Sequence, residues 1–306
     1  MDEQPAQRGE RPQPVAAPLP LSRPEFRLAG QVLGIFAVLA LTFLIELTVL
    51  GNLRHDRDQA QLAPQFRIEL AQGPDFGLAP VGPLDDANKP LTAGAPVALL
   101  EIPALHLREV VVEGTSSTTT MAGPGHRRDT PLPGQVGISV IAGRRATYGE
   151  PFRSLGQLHA GDQITVTTGQ GKHSFKVLDV RRAGDPLPPA LPSGQGRLTL
   201  VTTDGPALAP ADVLRVDAKL VTAAQSRPAQ LPTAALPAAD ALMAGDNSGL
   251  LDLVGWSMLL VAAAVATVWV RFQTGLWQAW VIGLPVLVAL GLTMSDQIAA
   301  LLPNML

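Results

Sequence analysis

Three apolar stretches of this chain are each long enough to cross a lipid bilayer, and they limit how the rest can fold. They lie at residues 28–50, 249–271 and 276–295. A helix needs about 20 mostly apolar residues to span the hydrocarbon core of a membrane. Because the first two stretches lie far apart in the sequence, we predict a large domain between them on one side of the membrane, with the lipid bilayer as a partner.

The first stretch has one competing interpretation, a cleaved signal peptide. The apolar region of a signal peptide is about 7–15 residues long and is followed by small residues at the cleavage site. The stretch at 28–50 is longer, and the segment Glu46–Gly51 is a poor cleavage site. We therefore expect an anchor that stays in the mature protein.

The arginines near these stretches predict an orientation. The amino-terminal tail, residues 1–27, contains four arginines, and the short turn between the second and third stretches contains Arg271. Lys and Arg close to membrane spans favour the cytoplasmic side. Arg54 and Arg57 on the opposite flank of the first stretch reduce this bias. We predict a multi-pass plasma-membrane protein with a cytoplasmic amino terminus and an extracytoplasmic central domain.

Composition narrows the chemistry. The chain has no cysteine, so disulfides and thiolate metal sites are excluded. Its net charge is −3 and it has no basic run, so nucleic acid is not an expected partner. The carboxylates of the central domain are not clustered, and we expect no metal and no other cofactor. Segments 51–94 and 223–248, rich in Pro, Gly or Ala, are predicted to be extended linkers, and 296–306 a short tail.

The central region, residues 95–222, contains short runs of β-type residues separated by turn residues. Alternating apolar and polar residues are clearest in Gln163–Thr168 and His173–Val180, and Gly169–Gly171 between them is typical of a hairpin. The other predicted strands are Val97–Ile102, Glu109–Glu113, Gly137–Ala142, Arg197–Thr203 and Val213–Val221. Many short, regularly spaced strands favour an all-β barrel or sandwich over a parallel sheet.

Three sequence blocks resemble a known family. The run Arg197–Asp204 resembles the TLxTC signature of the sortases, membrane-anchored cysteine transpeptidases of bacterial surfaces, and Ile141–Gly149 resembles their A-G-H-R-x-x-Y-G segment. The arginine of their last strand matches Arg215. Further matching blocks lie at Val112–Gly114, Gly123–His126, Pro131–Gly134 and Tyr148–Asp162. The resemblance covers roughly residues 97–221 and is closest to actinobacterial housekeeping-like sortases of class E/F type; it implies a closed barrel of about eight strands.

The resemblance also implies a loss of chemistry. The catalytic cysteine of the family is replaced by Thr203 and its catalytic histidine by Arg144, while the arginine survives as Arg215. Acyl transfer needs an activated nucleophile and a group that titrates near neutral pH. A guanidinium stays protonated up to a pKa above about 12 and accepts no proton. No competent catalytic residue is therefore predicted, and whether the chain is an enzyme stays uncertain.

The altered groove has positive charge, because Arg144, Arg145 and Arg215 are brought together by the matched blocks. Arginine forks bind carboxylates and phosphates, so one hypothesis is a groove that binds an acidic or C-terminal peptide, or an anionic envelope group, without cleaving it. The alternative is that Arg144 only fills the old site and pairs with Asp204. The candidate groove residues are Arg144, Arg145, Arg215, His126, Tyr148, Thr202 and Asp204.

Three functions stay open. The first is an inactive sortase-like scaffold at the cell surface. The second is an active transpeptidase or hydrolase with non-standard residues. The third is a structural subunit of a membrane complex, in which residues 249–306 contact other membrane proteins. His126 is interpreted as an inherited structural or groove residue, with a relocated catalytic base as the alternative.

Overall fold

The computed structural model describes residues 24–72, 81–82, 84, 89–206 and 210–306. Most of the predicted tail at 1–27 lies outside this range. The described chain consists of a long helix, a β-barrel that follows it in sequence, and a helical hairpin after the barrel.

Eight strands form the barrel and confirm the predicted all-β fold. They are β1 (Pro96–Ile102), β2 (Leu107–Glu113), β3 (Gly125–His126), β4 (Gly137–Ala142), β5 (Gln163–Thr168), β6 (Gly171–Arg181), β7 (Gly196–Asp204) and β8 (Asp212–Leu220). The order around the closed barrel is β1-β2-β3-β4-β7-β8-β6-β5. The pairs β2–β3 and β4–β7 are parallel. The sequence did not reveal β3, because a strand of two residues has no periodicity to detect.

The barrel interior is filled by the apolar residues of the alternating pattern. Ile164 and Val166 of β5 and Phe175 and Val177 of β6 point into one buried cluster, while their neighbours in sequence face outward. Leu198 and Leu200 of β7 join the same cluster. Burial of aliphatic and aromatic side chains at about 1.5–3 kcal/mol each is the main stabilising contribution to such a core. The core therefore leaves the odd-numbered residues of β7 on the outer wall.

The amino-terminal helix continues well past the predicted span. Helix α1 (Pro24–Ile45) leads through a π-helical turn (Glu46–Leu50) into helix α2 (Gly51–Gln72). The predicted extended linker at 51–94 is thus helical in its first half, which corrects that expectation. Residues 73–80, 83 and 85–88 of the same predicted linker lie outside the described residues.

Helix α2 forms because one of its faces is buried against the barrel. His55, Gln59 and Phe66 are four and seven residues apart, which puts them on the same face of a helix, and His55 and Phe66 are almost fully buried. The Gln59 amide donates to the carbonyls of Val110 (3.1 Å) and Ala122 (2.8 Å) and accepts from the Val110 N–H (2.8 Å). This packing outweighs the turn signal of the internal proline, and α2 is fixed to β2.

The hairpin consists of α4 (Leu250–Thr274) and α5 (Leu276–Leu301), and a short helix, α3 (Ser117–Ala122), precedes β3. Three helices in the described residues are long and apolar enough to span a membrane: the one beginning at Leu28, and both members of the hairpin. The amide oxygen of Gln31, in its hydrogen-bonding orientation, accepts from Arg271 at 2.6 and 2.9 Å. The start of α1 and the α4–α5 turn therefore lie at the same end of the bundle.

Helix α5 is longer than the predicted third span, and the predicted tail is shorter. The helix ends at Leu301 because Pro303 disfavours the helical conformation at the residue before it. The remaining residues, 302–306, lie against the barrel.

The predicted extended linker at 223–248 also lies on the barrel. It contains two short 3₁₀ turns, Thr233–Ala235 and Ala238–Asp240. The buried carboxylate of Asp240 accepts from the Thr115 N–H at 3.0 Å and lies 3.6 Å from Arg128. Composition alone favours a mobile segment, but these polar contacts with the barrel fix its conformation.

Candidate functional site

The strand register brings the sortase-like positions together on the outer wall of the barrel. Strands β4 and β7 are parallel, with Ala142 beside Val201, so the residues just after β4 lie next to the end of β7. On the other side of β7, Val201 is opposite Arg215 and Thr203 is opposite Val213. The side chains of Thr203 and Arg215 thus share a face, two residues apart along the strands.

Thr203 is buried, and its hydroxyl already donates a hydrogen bond. The hydroxyl donates to the main-chain oxygen of Met305 at 3.2 Å. The carbonyl of Thr203 accepts from the guanidinium of Arg145 at 3.1 Å. An alcohol becomes a nucleophile when an adjacent base removes its proton. Here the acceptor of that proton is a carbonyl, which is not a base at physiological pH.

Arg144 is completely buried and its guanidinium points inward. It donates to the hydroxyl of Thr147 at 3.0 Å and to the carbonyl and hydroxyl of Ser117, both at 2.8 Å. The guanidinium carbon lies 5.0 Å from the ring centre of Tyr148, a cation–π contact. Burial lowers the pKa of Arg144 to about 10, so the side chain remains charged near neutral pH and accepts no proton.

Tyr148 closes the other side of Arg144 in a strained conformation. Its backbone φ is 50°, in the left-handed region that residues other than glycine rarely adopt. Burial raises the pKa of its phenol to about 12, and among the described residues its hydroxyl has no hydrogen-bond partner. The ring packs between Leu47 of the π-helical turn and Ala299 of α5. Tyr148 thus joins the barrel to both membrane-anchoring segments.

Asp204 pairs with two arginines other than the expected ones. It lies 3.2 Å from Arg145 and 2.9 Å from Arg182, whereas the alternative interpretation of the sequence paired it with Arg144 or Arg215. Partial burial opposes ionisation, but the Gly205 N–H and the guanidinium of Arg182 lower the pKa of Asp204. The Asp204 pairs lie at the surface, while the charge of Arg144 is held inside by neutral oxygens.

Arg215 is half-buried on β8, beside Arg181 of β6 and Val201 of β7. The three predicted arginines therefore do not form one cationic fork. Arg144 is turned inward and Arg145 pairs with Asp204. Arg215 lies two residues along the strand from the level of Thr203. Arg181 itself pairs with the buried Asp217 at 2.6 Å.

His126 and Thr202, both predicted groove residues, are buried in structural contacts. The imidazole of His126 lies 2.8 Å from the carboxylate of Glu113 and 3.1 Å from the carbonyl of Pro131. Burial disfavours the charged imidazolium, but the charge of Glu113 outweighs it and the pKa of His126 is raised. Thr202 donates to the carbonyl of Gly143 at 2.8 Å and ties β7 to the loop after β4.

The sequence analysis missed the residues that complete the site. Ser117 and Thr147 hold Arg144, and the segment Pro303–Leu306 covers Thr203. Thr147 lies inside the resembling block but matches no fixed position of the family pattern, so nothing in the sequence marked it. The described residues contain no group of three His, Asp or Glu side chains arranged to hold a metal ion.

Comparison with known proteins agrees with the barrel geometry. Residues 100–221 match the sortase domain family. Sortase D of Bacillus subtilis is 32% identical over 93 residues, which are 30% of this chain and 45% of that protein. Sortase SrtE1 of Streptomyces coelicolor is 34% identical over 94 residues, which are 28% of this chain and 27% of that protein. The match thus spans less than half the length of either relative.

Solved sortase structures are also similar. Sortase E from Streptomyces avermitilis is 29% identical, with a TM-score of 0.37, over 49% of this chain and 100% of that one. A sortase D5 transpeptidase from Clostridium perfringens is 21% identical, with a TM-score of 0.45, over 54% of this chain and 99% of that one. Residues 100–221, which match the sortase domain family, lie between the candidate membrane-spanning helices.

Proposed function

Starting from a sortase domain whose nucleophile position is a threonine, we propose that this chain is a catalytically inactive, membrane-anchored scaffold of the bacterial surface. Its barrel lies outside the cell as a binding module, and its helices anchor it in the plasma membrane. The observation that carries the proposal is the buried Arg144. Its guanidinium, fully charged at neutral pH, is locked by Ser117 and Thr147 at the position of the catalytic histidine.

Two further observations support inactivity. Thr203 donates its proton to a carbonyl, so no base is in place to activate the hydroxyl. His126, the candidate relocated base, is fully buried, and its imidazole pairs with Glu113 and the Pro131 carbonyl. A relocated histidine base, kept open by the sequence, would need hydrogen-bonding reach to the nucleophile.

The test is a transpeptidation assay on the full chain in lipid nanodiscs. A sorting-signal peptide and a glycine nucleophile are supplied, and an active sortase is assayed in parallel as the positive control. We expect the wild-type chain to form no more product than its Thr203→Ala variant. Product that appears with wild type and disappears with Thr203→Ala would overturn the proposal and establish a non-standard transpeptidase.

A second candidate function, a structural subunit of a membrane complex, has one observation in its favour. An apolar cleft of about 450 Å³ opens between α1 and α4, lined by side chains such as Phe36, Val261 and Val265. A photo-crosslinking residue at Val261, compared with one at the exposed Val281, tests it in cells. A discrete protein adduct at Val261 alone supports this function, and lipid adducts at both positions contradict it.

A further inference from the structure

The segment Pro303–Leu306 lies against Thr203, the residue at the position where a sortase carries its thiol. After α5 ends at Leu301, the segment Pro303–Leu306 runs across the ends of β4 and β7. Within it, Asn304, Met305 and Leu306 are almost completely buried, with exposed fractions of 0%, 0% and 3%. A chain end that is not tied down lies exposed at the surface. The burial of these three residues is instead that of a peptide bound in a site.

The main chain of the segment is held residue by residue. The oxygen of Asn304 accepts from Thr120 at 2.7 Å. The oxygen of Met305 accepts from the Thr203 hydroxyl and from the Arg145 N–H, both at 3.2 Å. The oxygen of Leu306 accepts from the Thr147 hydroxyl at 2.8 Å. Each of these three consecutive main-chain oxygens thus has a donor on the sortase domain.

Side-chain contacts add selectivity. The Asn304 amide donates to the carbonyls of Thr115 (2.5 Å) and Ala241 (2.8 Å), and its oxygen accepts from the Met243 N–H at 3.0 Å. Donors and an acceptor in this arrangement fit a carboxamide and reject a carboxylate, which has no N–H. Met305 packs in an apolar pocket with Ala142 and Val201.

The two replaced catalytic residues both serve this binding. A threonine hydroxyl is a good hydrogen-bond donor, whereas a thiol is a weak one, so Thr203 suits a carbonyl ligand better than cysteine. Arg144 donates to the Thr147 hydroxyl, which in turn donates to Leu306. Hydrogen bonds in such a chain polarise one another, so the buried guanidinium strengthens the donor that holds Leu306.

We propose that the former catalytic position is a peptide-binding site, and that its ligand in the resting protein is the chain's own segment 303–306. The ligand class is a peptide in a turn conformation, closed by the Leu306 N–H donating to the Pro303 carbonyl at 3.0 Å, with an asparagine followed by two apolar residues. This inference deepens the proposed function and rests on it, because a site used for binding needs no chemistry. The tether to α5 makes the binding intramolecular and raises the local concentration of the ligand.

A proximity crosslink tests the docking directly, and the chain has no cysteine of its own to interfere. The double variant Val201→Cys with Met305→Cys puts two thiols in one pocket. Dibromobimane fluoresces when both of its arms react with nearby thiols. The matched control is Ile138→Cys with Met305→Cys, because residue 138 is exposed at the far end of β4, roughly 13 Å from residue 142. We expect at least about tenfold more fluorescence from the first pair; equal fluorescence would overturn the proposal.

An isosteric change then tests what the site recognises. In the crosslinking background, Asn304→Asp replaces two N–H donors by an oxygen facing two carbonyls. We expect the crosslinked fraction to fall at least about fivefold, whereas the same change at the exposed Asn247 leaves it unaltered. An unchanged crosslink in Asn304→Asp contradicts recognition through the asparagine.

A peptide in solution tests the ligand class. The synthetic peptide Leu-Pro-Asn-Met-Leu, carrying a fluorophore at its amino end, is added to the full-length Asn304→Asp chain, whose own segment binds weakly. Saturable binding is expected, at least about tenfold tighter than for Leu-Pro-Asp-Met-Leu. Equal binding of the two peptides rejects the ligand class. None of these readouts depends on catalysis, so a chain that proves active in the transpeptidation assay leaves the docking result intact.

Discussion

At position 144 a guanidinium is buried without a carboxylate partner, and this is costly unless its surroundings provide hydrogen bonds. Ser117 and Thr147 provide them, with the face of Tyr148 as a further partner. Such an arrangement ties α3, through Ser117, to the loop after β4, which contains Arg144, Thr147 and Tyr148. Arg144 therefore has a structural role in holding these two segments together.

The replacement Arg144→Ala is expected to lower the free energy of unfolding by about 2–4 kcal/mol, since it leaves the Ser117 oxygens and the Thr147 hydroxyl short of a donor. The neighbouring Arg145→Ala, which removes a partly exposed ion pair, should cost at most about 1 kcal/mol. Chemical unfolding followed by circular dichroism compares them. Equal losses would contradict the structural role assigned to Arg144.

The pair of His126 and Glu113 predicts a pH dependence. Because the folded pKa of His126 is raised, the pair contributes stability that is fully present below about pH 6.5, the pKa of an unfolded histidine. That contribution is lost as pH rises through the higher folded value. We expect the difference in unfolding free energy between wild type and Glu113→Gln to shrink from pH 6 to pH 9.

Burial lowers the pKa of His173, so this residue also makes the stability depend on pH. Its effect cancels in the difference between wild type and Glu113→Gln, because both proteins contain it. A difference that stays constant over this pH range would mean that His126 is neutral in the folded protein throughout.

Among the secondary-structure elements, every strand except β3 was predictable and the second helix was not. The strands show because alternation is a local signal. Helix α2 also has a local signal, the shared face of His55, Gln59 and Phe66, but Pro64 indicates a break. In the structure the helix continues past Pro64, because the barrel buries the face that contains His55 and Phe66. Docking of that kind is a tertiary effect that local patterns do not contain.

The attachment of α2 to β2 gives the element-scale prediction. Gln59→Ala removes the acceptor of the buried Val110 N–H, so hydrogen exchange of the β2 amides should quicken by at least about tenfold. Gln61→Ala, an identical change at an exposed position of the same helix, should leave exchange unaltered. Mass spectrometry of peptides that cover β2 measures both. Equal exchange in the two variants would show that α2 does not protect the strand.

At the scale of the whole molecule, the barrel and the three long apolar helices could be predicted, but the segment 303–306 lying on Thr203 could not. The partners of Asn304 are Thr115, Ala241 and Met243, and the nearest of them is 61 residues away in sequence. Recognition across such distances leaves no spacing pattern to find. The prediction that Thr203 and Arg144 replace a cysteine and a histidine has a sequence signal, because both positions lie in the blocks that resemble the family motifs.

The contact between Gln31 and Arg271 puts the start of α1 and the end of α4 at the same end of the bundle, and we predict that this end faces the cytoplasm. Single cysteines test it in intact cells. Asn247→Cys, near the barrel, is expected to react with a membrane-impermeant maleimide, whereas Gln273→Cys at the exposed end of α4 reacts only after lysis. The reverse pattern would place the barrel in the cytoplasm.

Tyr148 touches both membrane attachments of the barrel, Leu47 on the entering helix and Ala299 on the leaving one. A force that pulls the barrel away from the helices is therefore shared by two attachments in parallel instead of passing along one. If the contact with one helix opens, the contact with the other keeps Tyr148 close to both helices, so the open contact re-forms quickly. Tyr148 thus couples the barrel mechanically to two helices at once.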